Sequence, residues 1–83
     1  MTVQITPEVT VTLPKRGAQS ALPDVNATLE QSGAPYRILS VGDSEFQVAV
    51  KGRAMSHVFG PGTSFSAGRG ADERWRITEF GRA

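Results

Sequence analysis

The first thirteen residues constrain the fold more than any other segment, because apolar and polar side chains alternate strictly along them. Over residues 2–13, valine, isoleucine, proline or leucine occupies every odd position, and threonine, glutamine or glutamate occupies every even one. A period of two with many β-branched residues predicts a strand with one buried face. Pro7 lacks a backbone N–H, so we expect this strand to lie at a sheet edge or to break there.

A short helix is predicted after a loop at residues 14–19, which are rich in loop-forming residues. Pro23 suits the first helical position, because the backbone N–H that proline lacks would have no partner within the helix there. Gly33 suits the position just beyond the C-terminus of a helix. The helix is therefore expected at residues 23–32. Apolar residues recur along it at spacings of three and four, at Leu22, Val25 and Leu29.

The rest of the chain favours strands. Five segments are rich in β-branched, aromatic or alternating residues, at 36–41, 45–50, 53–59, 63–67 and 74–80. The first two are expected to form a hairpin, because Gly42, Asp43 and Ser44 between them are typical turn residues. The order β-α-β-β-β-(β)-β predicts an α+β fold: a small, twisted, mostly antiparallel sheet of about five strands with one short helix. A partly open small β-barrel is the alternative.

Composition favours a small soluble protein. The 83 residues are expected to form a single domain, since such a chain buries only roughly 60–65% of its unfolded surface in one core. Apolar residues make up 39% and charged residues 20%, which is typical of globular chains. There is no cysteine, no apolar run of the roughly 18 residues that span a bilayer, and no signal-peptide pattern at the start. We therefore expect a cytoplasmic protein without membrane contact.

The glycine-rich segment at residues 60–71 does not match a nucleotide-binding motif. A phosphate-binding P-loop has four residues between its glycines and then a lysine, whereas five residues separate Gly62 from Gly68, and Arg69 follows. In a dinucleotide fingerprint Phe65 would occupy the third glycine position. We interpret residues 60–71 as a flexible, exposed loop of the kind that often carries binding residues.

The sequence offers no catalytic or metal-binding set. His57 is the only histidine, and neighbouring Ser56 points to the opposite face of a strand, so the pair lacks the geometry of a catalytic triad. Without cysteine, a transition-metal site would be incomplete. A calcium loop starting at Asp24 would need glycine where Leu29 stands. The prediction is a non-enzymatic protein with no catalytic residue, cofactor or metal.

Charge is distributed unevenly along the chain although the net charge is only +1. Residues 1–50 carry three basic and five acidic side chains, and residues 51–83 carry six and three. The last strand is expected to direct Trp75 towards the core and Arg74 and Arg76 towards solvent. The second half of the chain therefore indicates a basic face, although ordinary solvated arginines would give the same count.

These observations predict a small module that binds another protein through residues 60–71 and the arginine face of the last strand. The expected contact residues are Phe65, Arg69, Arg74 and Arg76. Short chains without a catalytic set are often inhibitors or accessory factors encoded by phages or plasmids, which is an association and not a physical argument.

Two alternatives remain open at this point. The first is a nucleic-acid-binding module whose basic residues would be Lys51, Arg53, Arg69, Arg74 and Arg76. Its binding should weaken steeply with salt, because counterions return to the phosphates. The second is a structural subunit of a homo-oligomer in which the first strands pair edge to edge. Pro7 argues against that pairing, since prolines protect strand edges.

Overall fold

A computed structural model describes residues 6–82, which form one helix and two antiparallel three-stranded sheets. The elements in chain order are β1 (Thr6–Thr12), α1 (Ala18–Gln31), β2 (Tyr36–Ser40), β3 (Phe46–Val50), β4 (Arg53–Phe59), β5 (Thr63–Arg69) and β6 (Trp75–Arg82). The first sheet has the order β1-β5-β6 and the second the order β2-β3-β4. The predicted α+β class with a single short helix and antiparallel strands is confirmed, but two sheets of three strands replace the expected single sheet of about five.

Strand β1 has the predicted alternation wherever the structure describes it. Val9, Val11 and Leu13 are buried, whereas Thr10 and Thr12 are exposed. The strand lies at the edge of its sheet, and its register against β5 shifts after the proline at position 7, which confirms the expected edge position. The first four residues of the predicted strand, 2–5, lie outside the described residues.

The helix begins five residues earlier than predicted. Gly17 has φ +69°, which turns the chain into the helix, and Ala18 buries its side chain in the first turn. Pro23 therefore lies inside the helix, where it forgoes one backbone bond to the exposed Gln19. Burial of Val25 and Leu29 after the proline holds that turn against the sheets. The predicted end is confirmed: the helix stops at Gln31, and Gly33 has φ +84°.

The predicted hairpin forms between β2 and β3, with one correction to its burial pattern. Phe46 and Val48 are fully buried, as the alternation predicts. Ala49, expected on the polar face, is only 3% exposed. The reason is that β3 is the middle strand of its sheet, so the small methyl group lies between Arg37 of β2 and Ala54 of β4.

Strand β5 confirms the strand predicted at residues 63–67 and corrects the prediction of a flexible loop at residues 60–71. The strand covers Thr63–Arg69 and occupies the middle of the first sheet, between β1 and β6. Ser66, which pairs with Thr10 on one side and Glu79 on the other, is only 5% exposed, and its hydroxyl lies 2.9 Å from the Thr10 Oγ1 atom. Only the glycine-containing turns before and after the strand remain of the expected loop.

The two sheets pack against each other through aromatic side chains. The ring of Tyr36 on β2 lies 5.5 Å from that of Phe65 on β5, and the ring of Phe59 on β4 lies 4.7 Å from that of Phe80 on β6. Both contacts are edge-to-face, an arrangement that aromatic rings favour. The helix contacts β1 and β2. One face of the β2-β3-β4 sheet therefore lines the core, and its other face is directed away from it.

Candidate functional site

Phe65, expected to contact a partner, belongs to the core. Only 1% of it is exposed, and its ring packs edge-to-face on Tyr36 and on Phe80. A partner cannot reach this side chain without unfolding the first sheet. Phe65 is therefore removed from the interaction site, and the physical reason is the burial of β5 as a middle strand.

Arg69 is exposed, but other residues of the chain already bind its guanidinium group. Its Nε donates a hydrogen bond to the Glu8 Oε2 atom at 2.9 Å, across the β1–β5 pair. Its Cζ atom lies 5.2 Å from the centre of the Trp75 ring, which is a cation–π distance. Trp75 is half-buried and packs against the core, so it is neither fully buried nor displayed as a stacking platform.

Arg76 binds an acidic residue four positions earlier. Its two terminal nitrogens donate to the two carboxylate oxygens of Asp72 at 3.0 and 2.5 Å, and the Arg74 backbone N–H donates to the same carboxylate at 3.2 Å. The Arg76 guanidinium lowers the pKa of Asp72 to about 2. Arg76 is therefore neutralised locally, whereas the Arg74 side chain forms no ion pair with any residue in 6–82.

Lys51 and Arg53 lie in the other sheet, at the two-residue turn between β3 and β4. Lys51 and Gly52 have φ values of +50° and +85°, as a tight hairpin turn between antiparallel strands requires. The five basic residues predicted to bind nucleic acid are thus divided between two sheets, and two of them, Arg69 and Arg76, bind carboxylates of the chain itself.

The sequence reasoning missed a surface that we call the outer face: the side of the β2-β3-β4 sheet directed away from the core. The large apolar side chains that are most exposed within residues 6–82 are Leu39 (36%), Val41 (46%) and Val58 (49%), and all lie there. Leu39 pairs with Gln47, and Gln47 pairs with Val58, so these three side chains form one row across the sheet.

The outer face has opposite charges at its two ends. One end carries Arg37, in register with Ala49, and beyond it Lys51 at the β3–β4 turn. The other end carries Glu45, two residues before Gln47 on the same side of β3, and Asp43 in the β2–β3 turn. These charged side chains are exposed, and none of them forms an ion pair within the described part of the chain.

Each edge of this sheet has a feature that disfavours pairing with another strand. Along β2, the Asn26 side chain of α1 binds the backbone of Ile38: Nδ2 donates to the C=O at 3.1 Å, and the N–H donates to Oδ1 at 2.7 Å. In β4 the register shifts, so that three residues lie opposite Val48, and the Gln47 amide donates to the Met55 carbonyl. The flat face, and not an edge, is therefore the accessible part of the sheet.

An open groove of about 870 Å³ runs between α1 and β2 and continues the outer face. Leu22, Pro23 and Ala27 line it from the helix, and Arg37 and Leu39 line it from the strand. The sequence contains one signal for this surface: Ile38 and Leu39 are adjacent apolar residues in a strand, which places apolar groups on both of its faces.

Comparison with protein-family models finds no match, and comparisons with curated proteins and with solved structures find no significant match either. Within residues 6–82 no helix is long and apolar enough to cross a membrane. The same residues contain no group of three or more histidine, aspartate or glutamate side chains placed to hold a metal ion.

Proposed function

We propose that this chain is a small non-enzymatic module that binds another protein through the outer face. The observation that carries the proposal is the alignment of exposed Leu39 and Val58 in one cross-strand row, with exposed Val41 two residues after Leu39, just beyond the end of β2. Strands lie about 4.8 Å apart, so the row places Leu39 and Val58 about 10 Å apart. Single exposed apolar residues are ordinary, whereas apolar residues grouped on one face mark interaction surfaces.

The charges around these residues support the same function. Protein interfaces commonly have an apolar centre and a polar rim, and here Arg37 and Glu45 lie on either side of the row that contains Leu39 and Val58. Neither is engaged in an ion pair within residues 6–82, so each can bind an opposite charge on a partner.

Nucleic acid has weaker support as the partner. Of the basic residues that the sequence predicted for it, Arg69 and Arg76 bind carboxylates at 2.9 and 2.5 Å. Anisotropy titrations with labelled DNA and RNA at low and physiological salt test this alternative directly. We expect no saturable binding. Binding that weakens with salt and is lost in the Lys51→Glu/Arg53→Glu variant would favour nucleic acid instead.

Site-specific photo-crosslinking tests the proposed surface. A benzophenone amino acid replaces Val58 on edge strand β4 or, as the matched control, Thr78 on edge strand β6, since both positions are exposed. Each variant is irradiated in cells of the organism that encodes the chain. We expect a covalent protein adduct from position 58 and none from position 78. Equal labelling from the two positions, or no adduct from position 58, would contradict the proposal.

A further inference from the structure

We propose that the partner on the outer face is a second copy of this chain, docked so that the basic end of one face lies over the acidic end of the other. This inference rests on the proposed function, which makes the outer face a contact surface. A second copy fits the outer face because the charge pattern of the face is complementary to itself.

The self-complementarity follows from the strand register. The Leu39–Gln47–Val58 row lies in the middle of the face. The row of Arg37, Ala49 and Ala54 lies to one side of it, two residues away along β2 and β3 and four residues away along β4, where the register shifts. Val41 and Glu45, joined by a 3.0 Å backbone hydrogen bond, lie two residues to the other side. Two residues along a strand are about 6.6 Å, so the charged rows are equally distant from the middle row.

Two copies that meet face to face are related by a twofold axis in the plane of the interface. If the axis follows the Leu39–Gln47–Val58 row, each residue of that row meets its own counterpart. The same rotation brings Arg37 of one copy over Val41 of the other, next to Glu45. The aliphatic stem of Arg37 then covers the exposed valine, and its guanidinium reaches the carboxylate.

The other simple orientation is excluded by charge. An axis parallel to the strands would bring each end of the face over the same end of the other copy. Along β2 it would place Arg37 over Arg37, and along β3 Glu45 over Glu45, and like charges in contact oppose association. The charges in the turns are also opposite in the first orientation. An axis along the Leu39–Gln47–Val58 row brings Asp43 of one copy to the end of the sheet that carries Lys51 of the other. Charge therefore selects one orientation out of two.

The dimer is expected to be weak, because three strands of five to seven residues offer less than the roughly 800 Å² per partner of a standard interface. Sedimentation equilibrium of the full chain from about 10 µM to 1 mM measures it, since weak complexes dissociate in this range. We expect the average mass to rise from 8.9 kDa towards twice that value, and the rise to shrink at high salt.

Charge reversal identifies the orientation. Because the Arg37–Glu45 contact occurs twice in the dimer, Arg37→Glu or Glu45→Arg alone should weaken association at least about fivefold. The double variant Arg37→Glu/Glu45→Arg should restore it, since the charges are again opposite. Arg74→Glu, an exposed arginine outside the face, is the matched control and should leave association unchanged. Circular dichroism verifies that each variant is folded.

The outcomes separate this inference from the proposed function. A chain that stays at 8.9 kDa throughout, or a double variant that remains as weak as the single ones, would overturn the second-copy inference. If position 58 then crosslinks to a different protein, the proposed function stands without it. If position 58 crosslinks to nothing, both are wrong.

Discussion

The amide of Asn26 holds the helix to the edge of β2, and its replacement by alanine tests that contact quantitatively. Asn26 makes two hydrogen bonds, at 3.1 and 2.7 Å, to the C=O and N–H of Ile38. These backbone groups point away from β3 at the edge of the sheet, and the contact is partly buried. Asn26→Ala removes both partners at once and leaves the backbone groups of a buried residue unpaired.

The expected loss can be worked out from this geometry. A hydrogen bond contributes about 1 kcal/mol net, so the two bonds together contribute about 2 kcal/mol. Alanine favours a helix interior more than asparagine by at most about 0.7 kcal/mol, which offsets part of the loss. The free energy of unfolding should therefore fall by about 1–2 kcal/mol. For a domain of this size that lowers Tm by roughly 5–10 °C.

Urea unfolding followed by Trp75 fluorescence measures the free energy, and hydrogen exchange of the Ile38 amide reports the contact itself. Gln19→Ala is the matched control, because Gln19 also links α1 to β2, but through exposed hydrogen bonds to Ser40 and Gly42. It should cost less than about 0.5 kcal/mol. If the free energy of unfolding of Asn26→Ala lies within about 0.3 kcal/mol of that of the parent chain, and the Ile38 amide exchanges at an unchanged rate, the Asn26 contact does not stabilise the fold.

Two further perturbations have defined outcomes. Gly62→Ala should lower the free energy of unfolding by about 1–2 kcal/mol, because φ is +84° and the new Cβ would lie 3.2 Å from the Lys15 Cγ. Gly60→Ala, with its nearest atom at 3.9 Å, should cost less, and equal losses in urea titrations would contradict this. The pKa of Asp72 is lowered from 3.8 to about 2, so its contribution to stability is present above pH 3.8 and is lost as pH falls towards 2. Arg76→Gln should raise the NMR titration midpoint of Asp72, and an unchanged midpoint would show that Arg76 is not the cause.

The parts of the fold that the sequence predicted are those in which local pattern and tertiary position agree. Strand β1 alternates because one of its faces packs on the core, and the end of α1 is marked by Gly33, whose φ of +84° favours glycine. The start of α1 was wrong because the local preference of Pro23 for a first turn was weighed without the apolar anchor at Ala18. Ala18 lies four residues before Leu22 and so continues the apolar stripe of the helix, but a single methyl group adds little apolar signal to that stripe.

Strand β5 shows why composition misleads at a middle strand. Serine, alanine and glycine suggested an exposed loop, but the backbone N–H and C=O groups of β5 pair with strands on both sides, and this pairing overrides its composition. The hydroxyls of Ser64 and Ser66 are satisfied by Thr12 and Thr10, at 3.0 and 2.9 Å. Those partners lie more than fifty residues away along the chain. Only the β1–β5 register reveals that the polar groups of this segment are paired.

Pairing between strands that are distant in the sequence also determines which side chains are available to a partner. Arg69 was counted as available because its partner Glu8 lies 61 residues away, in another strand. Leu39 and Val58 look like separate apolar residues in the sequence, and they join a single row only because both pair with Gln47. Strand pairing therefore neutralises arginines of the predicted basic face and brings two exposed apolar side chains into one row elsewhere. Variants of Arg69 should thus change stability through the Glu8 ion pair, whereas variants of Val58 should change association.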